Sequence, residues 1–411
     1  MPQRRCSSLG LTLHPLAVVL ITTVVACEPE KTLTSPPRPA GPLHADVGEV
    51  APIGAPLPFL TAAQRAVFAR GSAVFLRAFT PSTGLGPLFN GSSCGECHED
   101  PVIGGVGDEV ETHATAFRAD GTCDDLAAGG GPVIEDSVTP ALLAVSGLSK
   151  APVPPGATAI GRRTTSSILG FGLLDAVPDW EILALADPSD LNHDGISGRP
   201  NRTLDGRLGR FGRKAQVARL RDFIADAFLN EMGVTNPTLA RERGVAGGPV
   251  PPGVDPAFDP ELSQGDLDAT TTFVQLLAPP RPLPLGPAGL AGSLVFAKIG
   301  CPACHVPALV TGYNRVGALS LNAVYAYTDL LLHDMGPDLA DICLGQATPS
   351  EFRTAPLMGL RFAHAYLHDG RAATIEQSIL LHGGEGARSR DRFARLSPFE
   401  RFTLLKFLGS L

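Results

Sequence analysis

The sequence is poor in aromatic residues. One tryptophan and four tyrosines occur among 411 residues, while 46 glycines and 38 prolines interrupt the chain, which implies short helices joined by long ordered loops. A basic excess is also missing. Lys and Arg number 33 against 41 acidic residues, and a net charge of −8 gives no reason to expect nucleic acid as a partner. Beyond the first segment, no apolar run is long enough to span a bilayer. The length allows two domains of ordinary size.

What the chain does contain is one pentapeptide twice: Cys94-Gly95-Glu96-Cys97-His98 and Cys301-Pro302-Ala303-Cys304-His305. Cys-X-X-Cys-His is the attachment site of a c-type haem. Two thiols three residues apart reach the two vinyl groups, and the adjacent histidine becomes the proximal iron ligand. A lone copy could be a redox or zinc dithiol; two copies favour two covalent haems, held by Cys94 and Cys97 and by Cys301 and Cys304, with His98 and His305 as axial ligands. Haem would then supply much of each core.

The pentapeptides sit inside a longer repeat. Gly71-Ser72-Ala73-Val74-Phe75 precedes the first and Gly292-Ser293-Leu294-Val295-Phe296 the second, each on a short amphipathic stretch. Repeated units with the same order of parts imply two related domains. The fold expected is mainly α, with two cytochrome c-like haem domains at residues 58–285 and 286–411 and long ordered loops.

The first segment reads as a targeting signal. Arg4 and Arg5 precede an apolar stretch from Leu16 to Val25. Val24-Val25-Ala26-Cys27 resembles a lipobox, which makes residues 1–27 a signal and the product a periplasm-facing, outer-membrane lipoprotein anchored through Cys27. Ordinary signal cleavage nearby is the alternative. Residues 28–57 are Pro-rich and read as a tether. Of the eight cysteines, only Cys123 and Cys343 then remain unassigned. An oxidising compartment favours their pairing, but sequence leaves open whether they are close enough.

Further along, Thr61 and Gln64 form a capping box, followed by Val67, Phe68, Gly71, Val74, Phe75 and Phe79 at helical spacing. His113, fifteen positions past His98, is a candidate for the opposite axial position, or else a surface or propionate-side histidine. A run around Arg162 and Arg163 could place an arginine on a haem propionate, or be a solvated basic turn. Asp175 is a proton relay if it lies in a distal pocket, and otherwise a helix cap. Asp190, Asn192 and Asp194 alternate as in a calcium loop, with Gly195 at the sixth position but Asn201 rather than Glu at the twelfth, so a bound calcium competes with a plain Asx-rich turn. In the second half, Thr374 and Gln377 cap a short helix carrying Ile375, Ser378, Ile379 and His382 on one face. Ser397-Pro398-Phe399-Glu400 opens a final helix expected to face Phe402, Leu405 and Leu408 inward.

Together these pieces resemble the di-haem oxidoreductase family, once called thiol oxidoreductases and similar to bacterial di-haem cytochrome c peroxidases and MauG enzymes. The resemblance spans residues 60–411. It rests on the two pentapeptides, Gly209-Arg210-Phe211-Gly212-Arg213-Lys214-Ala215, the stretch from Thr328 to Gly336, Glu351-Phe352-Arg353-Thr354, and Leu367-His368-Asp369-Gly370-Arg371. It implies a peroxidase in which the second haem relays electrons and the first meets hydrogen peroxide or a similar small oxidant. A small cytochrome or cupredoxin would be the donor.

The resemblance also implies residue roles. His382 falls where the peroxidases carry a ligating Met, giving His305/His382 ligation. Met335 is the alternative ligand and Met358 a weaker one; His333, His364 and His368 are structural. His113 corresponds to the distal histidine, Arg163 to the family's arginine and Asp175 to its usual Glu, so Arg163 would stabilise charge while Asp175 or His113 moves the proton. Trp180 is either an electron conduit between haems or a packing residue. Two rival readings are a pure electron carrier and a MauG-like oxidase of a partner protein.

Overall fold

A computed structural model describes residues 51–411. The signal, Cys27 and the tether up to residue 50 lie outside the described residues. Residues 51–57, expected as the end of the tether, are instead bound to the body. Leu57 N–H donates to the Leu276 carbonyl at 2.8 Å, and the Ala55 carbonyl accepts Ala278 N–H at 3.0 Å.

The repeat read from the sequence is a repeated helix crossing. The first helix, Ala62–Phe75, starts at the expected capping box: Thr61 Oγ1 accepts Gln64 N–H, and Gln64 Oε1 accepts Thr61 N–H. It crosses Gln264–Leu276 at Gly71, where the absent side chain lets the Ala269 carbonyl approach. Four residues on, Phe75 meets Phe273 with ring centroids 5.1 Å apart. In the second half, Pro287–Ile299 crosses the closing helix Pro398–Leu408 in the same way. Gly292 faces the Thr403 carbonyl, and Phe296 meets Phe407 at 5.4 Å.

Two helix faces differ from expectation. In the closing helix Thr403, Leu404, Phe407 and Leu408 are buried, whereas Phe402 is 50% exposed. The backbone contact at Gly292 fixes Thr403 at the crossing. One residue turns a helix by about 100°, so Phe402 is carried outward. Val67 on the first helix is also exposed.

Among the described residues helix accounts for 33% and strand for 12%, so loops carry more of them than either element and "mainly α" is not confirmed. The unexpected element is an antiparallel sheet. Its long strand, Val110–Phe117, pairs with Ala159–Thr164, Val133–Ile134 and Cys123–Asp124. Glu111, His113 and Thr115 share one face, because successive strand residues alternate sides. Glu111 lies opposite Arg163 and His113 opposite Gly161.

A segment from the second half lies across that face. Asp341 forms a buried ion pair with Arg163, and Cys343 N–H donates to Thr115 Oγ1 at 3.1 Å. Cys343 is disulfide-bonded to Cys123, with Cα atoms 5.7 Å apart, which closes the pairing that the sequence left open. A second tie joins the halves: Leu332–Asp334 pairs with Glu351–Arg353, and Arg353 N–H donates to the Arg213 carbonyl at 2.9 Å. The main apolar core spans both halves, from Leu57 to Leu331, and a smaller one around Phe296, Tyr327 and Phe407 belongs to the second half. Among the described residues no helix is long and apolar enough to cross a membrane.

Candidate haem-binding site

Both pentapeptides fold into the same single turn. His98 N–H donates to the Cys94 carbonyl at 3.1 Å, and His305 N–H to the Cys301 carbonyl at 2.9 Å. In the first, Ser93 Oγ caps the turn by accepting Glu96 N–H. In the second, Gly300 enters with a left-handed φ of 95°. A helical turn places thiols three residues apart on one side. All four cysteines are free thiols, and burial pushes Cys94 and Cys301 up to about 12.

The histidines fit the haem reading more closely. His98 Nδ1 lies 3.1 Å from the Gly105 carbonyl, His305 Nδ1 3.0 Å from that of Tyr327, and His382 Nδ1 2.7 Å from that of Ser378. A carbonyl only accepts, so each Nδ1 carries the proton and each Nε2 keeps a lone pair. Metal-binding histidines are held in this way. Burial lowers the pKa of all three, that of His305 to about 4, and keeps the rings neutral.

His305 and His382 border one cavity of 730 Å³, together with Cys301, Cys304 and Met335. That volume lies within the range of cofactor pockets. The cavity extends to residues 106–108 and to Ser166, whose carbonyl neighbours His98, so its far wall adjoins the first pentapeptide. Met335 also reaches it. Its Cε lies 3.4 Å, and His382 Cδ2 3.3 Å, from where a Cβ on Gly386 would stand. Met358 lines the same space.

A histidine–carboxylate pair lies on the sheet near His98. His113 Nε2 lies 3.0 Å from Glu111 Oε2, and His113 Nδ1 is buried with no hydrogen-bond partner. Burial alone would raise the Glu111 carboxyl. Its hydrogen bond to His113 and the charge of Arg163 hold it below the usual carboxylate range instead. His113 thus differs from the three other rings, since its Nε2 is committed to a carboxylate.

Arg163 is buried as expected, but its guanidinium is bound to Asp341. Asp175 takes the helix-cap alternative. Its Oδ1 accepts Leu220 N–H at 3.0 Å, at the start of the helix Leu220–Met232. Trp180 is 66% exposed and so is not packed in a core. Asp190, Asn192 and Asp194 share one loop, where their oxygens accept the N–H groups of Gly195, Asp194 and Ile196 in turn.

Three further histidines have protein partners. His333 is held between Asp329 at 2.8 Å and Glu385 at 2.7 Å. His364 pairs with Asp100, and His368 stacks on Phe352 with centroids 4.3 Å apart.

Three residues escaped the sequence reading. Glu111 could have been found, since an acid two positions before His113 shares its face in a strand. Arg213 and Arg353 line the cavity, and only their place in the two motif runs hinted at a role.

The family described as "Di-haem oxidoreductase, putative peroxidase" matches residues 155–411. No curated protein matches the sequence. Among solved structures, a MauG-like protein associated with microbial copper homeostasis is similar at 15% identity and TM-score 0.41, covering 90% of this chain and 94% of its own. The diheme peroxidase BthA from Burkholderia thailandensis is similar at 16% identity and TM-score 0.39, with 88% and 87% covered. The Kuenenia stuttgartiensis hydrazine synthase is similar at 14% identity and TM-score 0.37, with 89% and 96% covered. The family match takes in well over half of the chain, and the protein belongs to the di-haem oxidoreductase family, as an oxidoreductase enzyme.

Proposed function

We propose that this is an exported peroxidase-type enzyme with two covalent haems, one in each cytochrome c-like half. The observation that carries the reading is the contrast between histidines. His305 and His382 offer two free Nε2 atoms to one cavity, whereas His98 lies near Glu111, to which His113 is tied. Cys301 and Cys304 would hold the second haem between His305 and His382, and Cys94 and Cys97 would hold the first on His98. When bound, haem supplies the redox-active iron.

The chain's own residues supply the rest. His98, fixed by the Gly105 carbonyl, orients one axial nitrogen. Glu111 and His113 hold a proton between Oε2 and Nε2 and move it near His98. Arg163, neutralised by Asp341, positions the sheet that carries this pair. At the second site His305 and His382 would hold the iron, and that haem would supply the relay from a small redox protein. Lipid anchoring through Cys27 belongs to the same proposal.

The test is purification from a host competent in cytochrome c maturation. Intact mass should exceed that of the processed polypeptide by two haems, and the protein should consume hydrogen peroxide with a reduced donor. Two haems without turnover, and without cyanide or carbon monoxide binding, would instead identify an electron carrier.

A further inference from the structure

Two arginines face the cavity without a counter-charge. Arg353 is 8% exposed, and its Nε donates to the Gly212 carbonyl at 2.9 Å. Its two terminal nitrogens have no hydrogen bond among the described residues. Arg213 donates from Nη2 to the Thr164 carbonyl at 2.9 Å and to Thr164 Oγ1 at 3.3 Å. Neither arginine is in an ion pair among the described residues. The nearest acids are already engaged: Glu111 by His113, Asp329 by His333, and Asp369 by Arg371.

The two arginines come from opposite halves and are tied together through the Arg353 N–H bond to the Arg213 carbonyl. Burial and mutual repulsion lower the pKa of Arg353 to about 9, and burial with the charge of Arg163 lowers that of Arg213 to about 10. A buried unpaired guanidinium is strongly unfavourable, and its planar fork matches a carboxylate. The same cavity is lined by Cys301, Cys304 and His305. A tetrapyrrole attached there through its vinyl groups still has two propionates to place.

We propose that Arg213 and Arg353 form a carboxylate clamp, contributed by both halves of the chain, that binds the propionates of the haem attached at Cys301 and Cys304. This rests on the two-haem reading above. The clamp neutralises the propionates next to the relay haem and joins the two halves once that haem is in place.

The test uses the full chain matured with both haems, and compares Arg353→Gln, Arg213→Gln and the corresponding Lys variants. Intact mass first settles whether both haems are attached, which separates failure of the two-haem reading from failure of the clamp. Potentiometric titration from pH 5 to 9 is then read for each haem. With a clamp, either Gln variant moves the second haem to lower potential and makes it pH-dependent, because the freed propionate now titrates. Lys retains charge while losing the Gly212 or Thr164 bond, so Lys variants should recover most of the wild-type potential. Equal shifts for Gln and Lys would mean a merely structural role and overturn the clamp, as would a wild-type potential in every variant or a shift confined to the first haem. Titration with acetate provides the last arm. A wild-type potential that follows acetate, and ceases to do so in the Gln variants, would assign the arginines to a free carboxylate and overturn the propionate assignment.

Discussion

Gly71 and Ala269 meet through backbone alone: a Cβ on Gly71 would stand 1.9 Å from the Ala269 carbonyl oxygen. The second half has the same contact between Gly292 and Thr403, also at 1.9 Å. Neither crossing can open, because a phenylalanine pair closes each one four residues on. Alanine in an open helix would stabilise by up to ~1 kcal/mol relative to glycine. At these positions the sign should reverse. Gly292→Ala and Gly71→Ala should each destabilise by about 1–3 kcal/mol or more through overpacking. Guanidinium unfolding of the mature protein checks this, and a midpoint equal to wild type in either variant would remove the crossing as a determinant of the fold.

The Cys123–Cys343 disulfide bridges 220 residues and holds the 341–343 segment on the sheet. Closing so long a loop restricts the unfolded chain heavily, and loss of such a bond typically removes roughly 2–5 kcal/mol. Thioether links to haem resist dithiol reductants, so reduction should act on this bond alone. Calorimetry with and without reductant should show a clear fall in Tm, and Cys343→Ser should reproduce it without reductant.

The sequence displayed what depends on neighbours in the chain. The pentapeptides, the capping boxes at Thr61 and Ser397 and the glycine-phenylalanine repeat all act within one or two helical turns. Long-range pairing was hidden. Arg163 meets Asp341 across 178 positions, and no local signal told a propionate partner from a protein one. The sheet escaped notice because its long strand pairs with pieces of two to six residues set among loops. The inward face of the closing helix was misplaced because a backbone contact at Gly292, not hydrophobicity, decides which side is buried. Asp175 was ambiguous between a relay and a cap until its partner, Leu220, was known.

A pH effect should arise at the acidic cluster of Glu242, Asp255 and Glu261. Burial, and then the charges of Asp255 and Glu261, push the Glu242 carboxyl up to about 9. The folded state therefore holds this proton more tightly than the unfolded chain, whose carboxyl titrates near 4.5. The associated stability is present below pH 4.5 and is lost as pH rises toward 9. Glu242→Gln keeps the neutral form at every pH. Between pH 5 and 8, the urea midpoint of the wild type should fall more than that of Glu242→Gln. Parallel pH profiles would contradict this.

The choice of ligand opposite His305 can be decided by substitution. His382→Met should raise the potential of the second haem, by a sizeable share of the ~0.8 V that axial ligands span. His382→Ala should open the site to carbon monoxide. Met335→Leu should do neither, since Met335 would sit beside the iron ligand and not be one. If Met335→Leu alters the potential and His382→Ala leaves it unchanged, the ligand is Met335.

Glu111 carries the sharpest catalytic prediction. It lies partly buried near His98, opposite Arg163 on the sheet and 3.0 Å from His113, so a Gln replacement preserves shape and removes only the proton-accepting charge. A positioned acid–base group typically contributes ~10²–10⁴-fold. Glu111→Gln should therefore lower peroxide turnover by roughly 100-fold or more, with haem content and both potentials close to wild type. His113→Gln should do the same. Because the two side chains hold one proton between them, the double variant should be little worse than either single one, as is usual for groups that act as a unit. Multiplying losses in the double variant would mean that Glu111 and His113 act independently, and the proton would then have to travel by another route.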